Sequence, residues 1–179
     1  MNIKIKLFTL FTTIAVLSFV IYQERFTLPS VNSAYASDDV LQELDRDVTV
    51  PNFDFDVFTK NTSSSLHKVT GDKIYIHFWA SWCNVCTKEF EDIIPFAKKH
   101  PNATVLAISL DDEKDEMANY LSSIEKTHAI SKVNNLLFIW DDNHAISQGL
   151  FNTTRVPETY LVNKDYKITN KTIGRADWR

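Results

Sequence analysis

The stretch Lys73-Ile74-Tyr75-Ile76-His77-Phe78-Trp79-Ala80-Ser81-Trp82-Cys83-Asn84-Val85-Cys86 decides the predicted fold of this 179-residue chain. Its apolar run through Trp79 predicts a central strand, and the apolar spacing after Cys86 predicts a helix. Cys83 and Cys86 are the only two cysteines. Two sulfur atoms one helical turn apart can close and reopen a disulfide, so this strand-to-helix junction predicts a redox pair.

Zinc binding is the main alternative for a Cys-x-x-Cys pair. A structural zinc site needs four ligands. The five histidines offer no second pair at the usual spacing; they are His67, His77, His100, His128 and His144. Two buried structural thiols are a further alternative, but the neighbouring tryptophan and the predicted helix start favour a reactive cysteine pair. The sequence therefore predicts thiol exchange with no metal and no cofactor.

The composition indicates one compact domain with a short extension. Hydrophobic residues make up 44% of the chain and aromatic residues 12%, which is enough for a sizeable core. The net charge of -4 gives no basic surface for nucleic acid, and three glycines provide no phosphate-binding loop. The composition therefore argues against nucleic-acid binding and nucleotide chemistry.

The N-terminus predicts export. Lys4 and Lys6 precede an apolar run, so residues 1–22 are predicted to be a membrane anchor or a signal peptide. Ala34-Tyr35-Ala36 resembles a cleavage site but lies far from the apolar run. This distance favours an uncleaved anchor formed by residues 3–22, and a cleaved soluble periplasmic form is the alternative. The lysines place the rest of the chain outside the cytoplasm. Residues 23–48 are predicted to be a tether, and residues 49–179 the folded domain.

Strands alternate with helices along the domain, which predicts an α/β fold. The predicted strands are 73–79, 104–110 and 136–140. The predicted helices are 87–99, a segment from Asp111-Asp112-Glu113 to about Lys126, and a short helix that ends near Gly149. A terminal hairpin is predicted from 159–162 and 167–172. Residues 53–58 predict an edge strand or hairpin, and 61–65 a loop. We expect Pro95 to kink or end its helix. The acidic residues at 111–113 are interpreted as a helix cap and solvated face.

Two separated motifs resemble a known group. They are Phe78-Trp79-Ala80-Ser81-Trp82-Cys83-x-x-Cys86 with Lys88-Glu89-Phe90, and Val156-Pro157-Glu158-Thr159-Tyr160-Leu161-Val162, followed by Gly174 and Asp177-Trp178. With them the chain resembles the TlpA, ResA and CcmG (DsbE-type) thioredoxin-like proteins, which are membrane-tethered and extracytoplasmic. The resemblance implies a thioredoxin-like fold with a central mixed sheet flanked by helices and an added N-terminal β-hairpin. The chain stops at Arg179, where members of the group continue into a helix that covers one sheet face, so the C-terminal helix looks shortened. We expect an exposed apolar patch, a partner that covers this patch, or a truncated protein.

This resemblance also implies a function. Members of the group reduce disulfides of exported client proteins, during cytochrome c maturation or copper-site assembly in a respiratory oxidase. A membrane electron donor of the thiol-reductase type would supply the electrons. Two alternatives stay open: a disulfide oxidase or isomerase of the same fold, and a non-catalytic copper or metal-delivery module that uses the thiols with a histidine such as His144.

The two cysteines have different predicted roles. Cys83 precedes the helix, where unpaired backbone N–H groups and the helix dipole stabilise an anion, so it is the predicted nucleophile. Cys86 lies on the inward side of the helix and is predicted to resolve the mixed disulfide between Cys83 and a client.

The resemblance adds further site residues. Glu89 matches an acid that lies near the cysteines, where it would oppose thiol ionisation and relay a proton, and Glu158 matches a second acid. The alternative for both is an ordinary exposed charge. Pro157 is predicted to be cis, with the Val156 backbone pairing with the client chain, whereas the alternative is a trans proline that begins a strand.

Aromatic and basic residues complete the predicted site. Trp82 is predicted to form part of the docking surface, whereas Trp79 and Trp140 are predicted to lie in the core. Arg155 is interpreted as a loop residue at the rim. His77 departs from the resemblance, which has an aspartate or asparagine there. It is interpreted as a satisfied core histidine, with a proton shuttle to Cys86 as the alternative.

Overall fold

The computed structural model describes residues 48–179. The predicted anchor and nearly all of the predicted tether lie outside these residues. Within residues 48–179, no helix combines the length and apolar character needed to cross a membrane.

A seven-stranded mixed sheet forms the centre of the domain. Its strands are β1 (Asp54–Val57), β2 (Thr62–Ser65), β3 (Lys73–Trp79), β4 (Ala103–Ser109), β5 (Leu136–Trp140), β6 (Glu158–Asn163) and β7 (Ile168–Ile173), in the order β2-β1-β5-β4-β3-β6-β7. β3, β4 and β5 are parallel neighbours, and the remaining pairings are antiparallel. The helices are α1 (Asn84–Lys99), α2 (Lys114–His128) and α3 (Ser147–Phe151), with 3-10 turns at Phe58–Lys60, Leu66–Lys68, Ile130–Lys132 and Asp142–His144. The predicted α/β architecture with an N-terminal hairpin is confirmed.

The sheet separates two apolar layers. In the first layer, which we call the α1 face, α1 and α2 pack against the sheet through residues such as Trp79, Phe90 and Phe138. In the second, which we call the α3 face, Phe78 and Tyr160 pack with Phe151. Alternate residues of a strand point to opposite faces, so a residue's position along β3 or β6 determines the layer that it joins.

The parallel pairing of β3 with β4 positions the site. Trp79 pairs with Ser109 at the end of both strands. The segments that follow these strands therefore emerge side by side at the same edge of the sheet. All seven residues of β4 are buried, because β4 has strands on both sides and packed layers on both faces.

Two local predictions were wrong. Residues 62–65 form β2 instead of a loop, because they pair antiparallel with β1 after a turn in which Asn61 adopts a φ of 48°. Helix α1 does not end at Pro95 but continues to Lys99, and a kink at Pro95 stays a prediction. Pro95 is on the exposed side, whereas Ile94 and Ala97 are buried on the sheet, so packing holds both halves of the helix in place.

The segment after β7 contains a buried tryptophan. Within the described residues, 174–179 form no helix. The indole of Trp178 packs on the rings of Tyr75, Phe96 and His77, with centroid distances of 5.2, 5.3 and 5.6 Å. Trp178 therefore covers part of the α1 face beside Tyr75 and Phe96, which are themselves partly exposed.

Candidate active site

The two cysteines form a disulfide at the start of α1, with their Cα atoms 5.2 Å apart. Cys83 is the N-cap residue of the helix, and the backbone N–H of Cys86 donates a hydrogen bond to Cys83 Sγ across 3.2 Å. An N–H group of the first helical turn therefore faces the leading sulfur atom. The same group and the helix dipole would stabilise a thiolate at Cys83 after reduction.

Exposure distinguishes the two sulfur-bearing residues. Cys83 is 9% exposed, whereas Cys86 is fully buried. Two large apolar side chains beside them, Trp82 and Val85, are 65% and 51% exposed. A partner that contacts this apolar rim would approach Cys83 before Cys86.

The loop before β6 lies against the leading cysteine. The Val156–Pro157 peptide bond is cis, and the carbonyl oxygen of Val156 lies 4.0 Å from Cys83 Sγ. Pro157 is buried, Val156 is partly exposed and Arg155 is exposed. The structure thus brings together Cys83, Val156 and Pro157.

Glu89 is a buried acid, so its interpretation as an exposed helix charge is excluded. Oε1 accepts hydrogen bonds from Trp178 Nε1 at 2.6 Å and from the backbone N–H of Ala176 at 2.8 Å. Oε2 is buried and has no hydrogen-bond partner among the described residues. Burial raises the pKa of Glu89, and the two hydrogen bonds and the positive charge of Arg175 oppose that rise.

Glu158 is also buried, but its side chain lies elsewhere. Its Oε1 accepts a 2.8 Å hydrogen bond from the Tyr160 hydroxyl and lies 2.9 Å from Lys171 Nζ. Glu158 and Tyr160 are two residues apart on β6 and share the α3 face. The Glu158 carboxylate is therefore directed to the side of the sheet opposite α1, and the structure does not bring it together with Glu89.

His77 is fully buried on the α1 face. Its Nδ1 lies 2.9 Å from the Thr159 hydroxyl, and its ring packs edge-on against Phe90 and Trp178. Burial lowers the pKa of His77 to about 3, so the imidazole is neutral at pH 7. Nε2 has no partner among the described residues, so the histidine is only half satisfied.

Asp111 is buried against the turn before Cys83, whereas the sequence predicted a solvated residue at the start of a helix. It is 1% exposed and accepts hydrogen bonds from the Ser81 backbone N–H, the Ser81 hydroxyl and the Ser109 hydroxyl. The N-cap of α2 is instead Glu113, which makes no capping hydrogen bond. The interpretation of Asp111 as part of a solvated helix start was wrong. Its position directly after β4, beside the segment that follows β3, was the signal that could have located it.

Trp140 also differs from its prediction. It is only partly buried, and its Nε1 donates a 2.9 Å hydrogen bond to the Asp111 carbonyl oxygen. Trp79, in contrast, is fully buried on the α1 face, as predicted.

The described residues do not present a metal centre. Between residues 48 and 179, no group of three His, Cys, Asp or Glu side chains converges on a point that could hold an ion. His144 Nε2 instead lies 3.4 Å from Asp112 Oδ1.

Comparison with known proteins places this site in a family. The model of the Redoxin family matches residues 46–179, which include both cysteines and the loop at Pro157. The chain belongs to the Redoxin family. The active-site geometry described above is therefore that of a Redoxin domain.

Named relatives of this Redoxin chain are thiol-disulfide oxidoreductases. ResA of Bacillus cereus is 26% identical over 61% of this chain and 59% of its own length. The sporulation thiol-disulfide oxidoreductase A of Bacillus subtilis is 27% identical over 58% of this chain and 61% of its own length. DsbE of Allochromatium vinosum is 24% identical over 73% of this chain and 68% of its own length. The matched region spans about three fifths of the first two relatives.

Solved structures confirm the thioredoxin-like fold. A DsbE thiol:disulfide interchange protein from Chlorobium tepidum superposes with a TM-score of 0.62 at 21% identity, covering 74% of this chain and 87% of its own. StoA from Bacillus subtilis superposes with a TM-score of 0.58 at 19% identity, covering 74% and 93%. The resemblance to the ResA and DsbE group that the two motifs predicted is thus confirmed.

Proposed function

We propose that this Redoxin chain is an extracytoplasmic thiol:disulfide oxidoreductase that reduces disulfides in exported client proteins. The observation that carries the proposal is the asymmetry of the cysteine pair. Cys83 caps α1, receives the Cys86 N–H and is 9% exposed beside the exposed Trp82, whereas Cys86 is fully buried. This arrangement suits one attacking and one resolving sulfur atom.

The reaction begins with both cysteines reduced. The Cys83 thiolate attacks one sulfur of a client disulfide, which forms a Cys83–client disulfide and releases the other client sulfur as a thiolate that takes up a proton. Cys86 then loses its proton and attacks Cys83 Sγ, which forms the Cys83–Cys86 disulfide and releases the second client thiolate, which is protonated in turn. Counting the proton that Cys83 releases when its thiolate forms, the cysteine pair loses two electrons and two protons, and the client gains two of each.

Three neighbouring residues have proposed roles in client binding. The exposed Trp82 would provide apolar contact area beside Cys83. The main chain at Val156 would pair with an extended client segment, since its carbonyl oxygen lies next to Cys83 Sγ and Pro157 fixes the loop behind it.

Glu89 is proposed to tune the pair. It follows Cys86 by three residues, on the same side of α1, and it is buried. A carboxylate there would oppose ionisation of the thiols and could accept the proton that Cys86 must lose. The second acid proposed from the resemblance, Glu158, points to the other face of the sheet and would have to act indirectly.

The cellular setting is also a proposal. The apolar run at residues 3–22 and its flanking lysines support a tether that holds the domain on the outer side of a bacterial inner membrane. The resemblance of the two motifs to the TlpA, ResA and CcmG group implies clients of cytochrome c maturation or respiratory copper-site assembly, and the thiol-disulfide oxidoreductase names of the relatives support an exchange reaction on such clients. A membrane electron donor of the thiol-reductase type would return the Cys83–Cys86 disulfide to the dithiol.

Client capture tests the division of roles. A Cys86→Ala variant cannot resolve the mixed disulfide, so it should accumulate client proteins bonded to Cys83. The matched control is Cys83→Ala, which removes the attacking sulfur and should capture little. Equal capture by both variants would contradict the assignment of attacker and resolver.

Redox titration tests the direction of electron flow. Equilibration with glutathione or dithiothreitol should give a potential near the thioredoxin value of about -270 mV or lower. A value near about -120 mV would instead indicate an oxidase. Stoichiometric, tight binding of Cu(I) or Zn²⁺ by the reduced protein would favour the metal-delivery alternative, and absence of reversible disulfide formation would refute the proposal.

A further inference from the structure

We propose that Asp111 is a positioning residue for the redox pair: its buried carboxylate fixes the turn that carries Cys83 and keeps the disulfide couple reducing. This inference rests on the proposed function. Its basis is a set of hydrogen bonds that connect Asp111 to the residues immediately before Cys83.

The turn itself is short and well defined. The backbone N–H of Cys83 donates a 3.2 Å hydrogen bond to the carbonyl oxygen of Ala80, so Ser81 and Trp82 are the two central residues of a β-turn. This turn presents Trp82 to solvent and Cys83 to the helix start. Any group that holds Ser81 therefore restrains the position of the attacking sulfur.

Asp111 holds Ser81 through two groups. The Ser81 backbone N–H lies 2.9 Å from Oδ1 and 3.2 Å from Oδ2, and the Ser81 hydroxyl donates to Oδ1 across 2.8 Å. A carboxylate accepts such bonds more strongly than a neutral acceptor does. Ser81 is thus attached to Asp111 by both its main chain and its side chain.

Asp111 is in turn fixed by the sheet. The Ser109 hydroxyl, at the end of β4, donates to Oδ2 across 2.6 Å, and the Asp111 carbonyl oxygen accepts the indole N–H of Trp140 from β5. The neighbouring Leu110 backbone N–H donates to the carbonyl oxygen of Trp79 at the end of β3. Three adjacent strands therefore define where the carboxylate lies.

The charge of Asp111 has an electrostatic consequence for Cys83. The hydrogen-bond donors to its carboxylate, Ser81 and Ser109, are neutral, so they stabilise the negative charge without cancelling it. A buried negative charge hydrogen-bonded to the turn two residues before Cys83 opposes formation of the thiolate, and this offsets the stabilisation that the helix start provides. Because the thiolate belongs to the reduced state, Asp111 disfavours reduction of the disulfide and so makes the dithiol a stronger reductant.

The test compares two neighbouring aspartates. Asp111→Asn keeps the shape of the side chain and removes its charge, and Asp112→Asn removes an equal charge from a side chain that is 87% exposed. In equilibrium with glutathione, two glutathione thiols reduce the Cys83–Cys86 disulfide and become glutathione disulfide. We expect Asp111→Asn to raise this equilibrium constant by about threefold or more. Asp112→Asn should leave it near the wild-type value because solvent screens that charge.

An unchanged equilibrium constant in Asp111→Asn would overturn the inference, even if the variant unfolded more easily, because Asp111 would then be only a structural residue. If Asp111→Asn does not fold, Ser109→Ala provides the second test. It keeps the charge but removes one donor that stabilises it, so the constant should fall by about twofold, and no change would count against the inference. If the wild-type protein itself forms no reversible disulfide, the proposed function fails, and that result is distinct from both outcomes.

Discussion

The indole Nε1 of Trp178 donates a 2.6 Å hydrogen bond to Oε1 of Glu89. The backbone N–H of Ala176 donates to the same oxygen, and the backbone N–H of Gly174 donates to the carbonyl oxygen of Pro157. The segment after β7 is therefore attached both to α1, three residues after Cys86, and to the loop beside Cys83. Loss of these hydrogen bonds should therefore disturb both α1 and the loop beside Cys83.

Replacing Trp178 tests this attachment. Trp178→Phe retains an aromatic ring over the α1 face but removes the N–H donor, which leaves Oε1 of Glu89 with one partner. We expect the free energy of unfolding to fall by about 1–3 kcal/mol. Chemical denaturation followed by circular dichroism measures the change. Trp82→Phe is the matched control, since Trp82 is largely exposed, and an equal loss in both variants would contradict the prediction.

Glu89 should make stability depend on pH. Because burial raises the pKa of Glu89 above its ordinary value of 4.5, the unfolded chain releases this proton first. The stability associated with the protonated carboxyl is complete below pH 4.5 and is lost as pH rises through the higher folded-state pKa. Glu89→Gln should remove this loss, measured as the free energy of unfolding against pH from 4.5 upward. Identical slopes for wild type and variant would show that Glu89 does not titrate in this way.

The same Glu89→Gln variant tests the proposed tuning of the cysteines. Removal of a nearby negative charge should let the Cys83 thiolate form at lower pH. The rate of alkylation of the reduced protein, measured against pH, reports this change. The matched variant Asp92→Asn alters an exposed residue of the same helix that pairs with Arg175. A wild-type alkylation profile in Glu89→Gln would remove Glu89 from the mechanism.

His77 should destabilise the domain in acid. Burial lowers the pKa of His77 from 6.5 to about 3, so between these values the unfolded state binds a proton that the folded state does not. Stability is therefore complete above about pH 6.5 and falls toward pH 3, by up to about 1 kcal/mol per pH unit from this residue. His77→Asn should reduce the slope of unfolding free energy against pH relative to wild type. His100→Asn, at an exposed position, is the control and should keep the wild-type slope.

Glu158→Gln separates a structural role from a role in proton transfer. The substitution removes a charge that is paired with Lys171 and leaves that ammonium group with a neutral neighbour. We expect a loss of about 1–3 kcal/mol in the free energy of unfolding. The alkylation profile of Cys83 should not move, because the carboxylate lies on the α3 face. A shifted profile would support the role of Glu158 as a second acid.

Local sequence features predicted much of the fold. The apolar runs of β3, β4 and β5 are strong strand signals, since strands with packed layers on both faces tolerate few polar residues. The Cys-x-x-Cys spacing identified the redox pair because the spacing of the two sulfur atoms is a property of one helical turn. The expected early end of α1 at Pro95 was wrong because the rule for proline describes an isolated helix, whereas packing on the sheet lets α1 continue to Lys99.

The environment of the acids could not be predicted in this way. Glu89, Asp111 and Glu158 are each compatible with an exposed charge in the sequence, and all three are buried. Their partners, Trp178, Ser81 and Lys171, lie 89, 30 and 13 residues away along the chain. Whether such a carboxylate faces solvent, the cysteines or the opposite layer depends on which strands become neighbours.

The sequence by itself determined the α/β pattern and the position of the cysteine pair, because these follow from short-range periodicity and spacing. The family was indicated by the resemblance of two separated motifs, around Cys83 and around Pro157. Only the tertiary structure decided that Asp111 lies behind the Cys83 turn, that Trp178 covers Glu89, and that Glu158 points away from α1. Strand order decides which distant residues become neighbours, and the alternation of side chains along each strand decides which face of the sheet they share. Both effects bring groups together or separate them only when the whole sheet assembles.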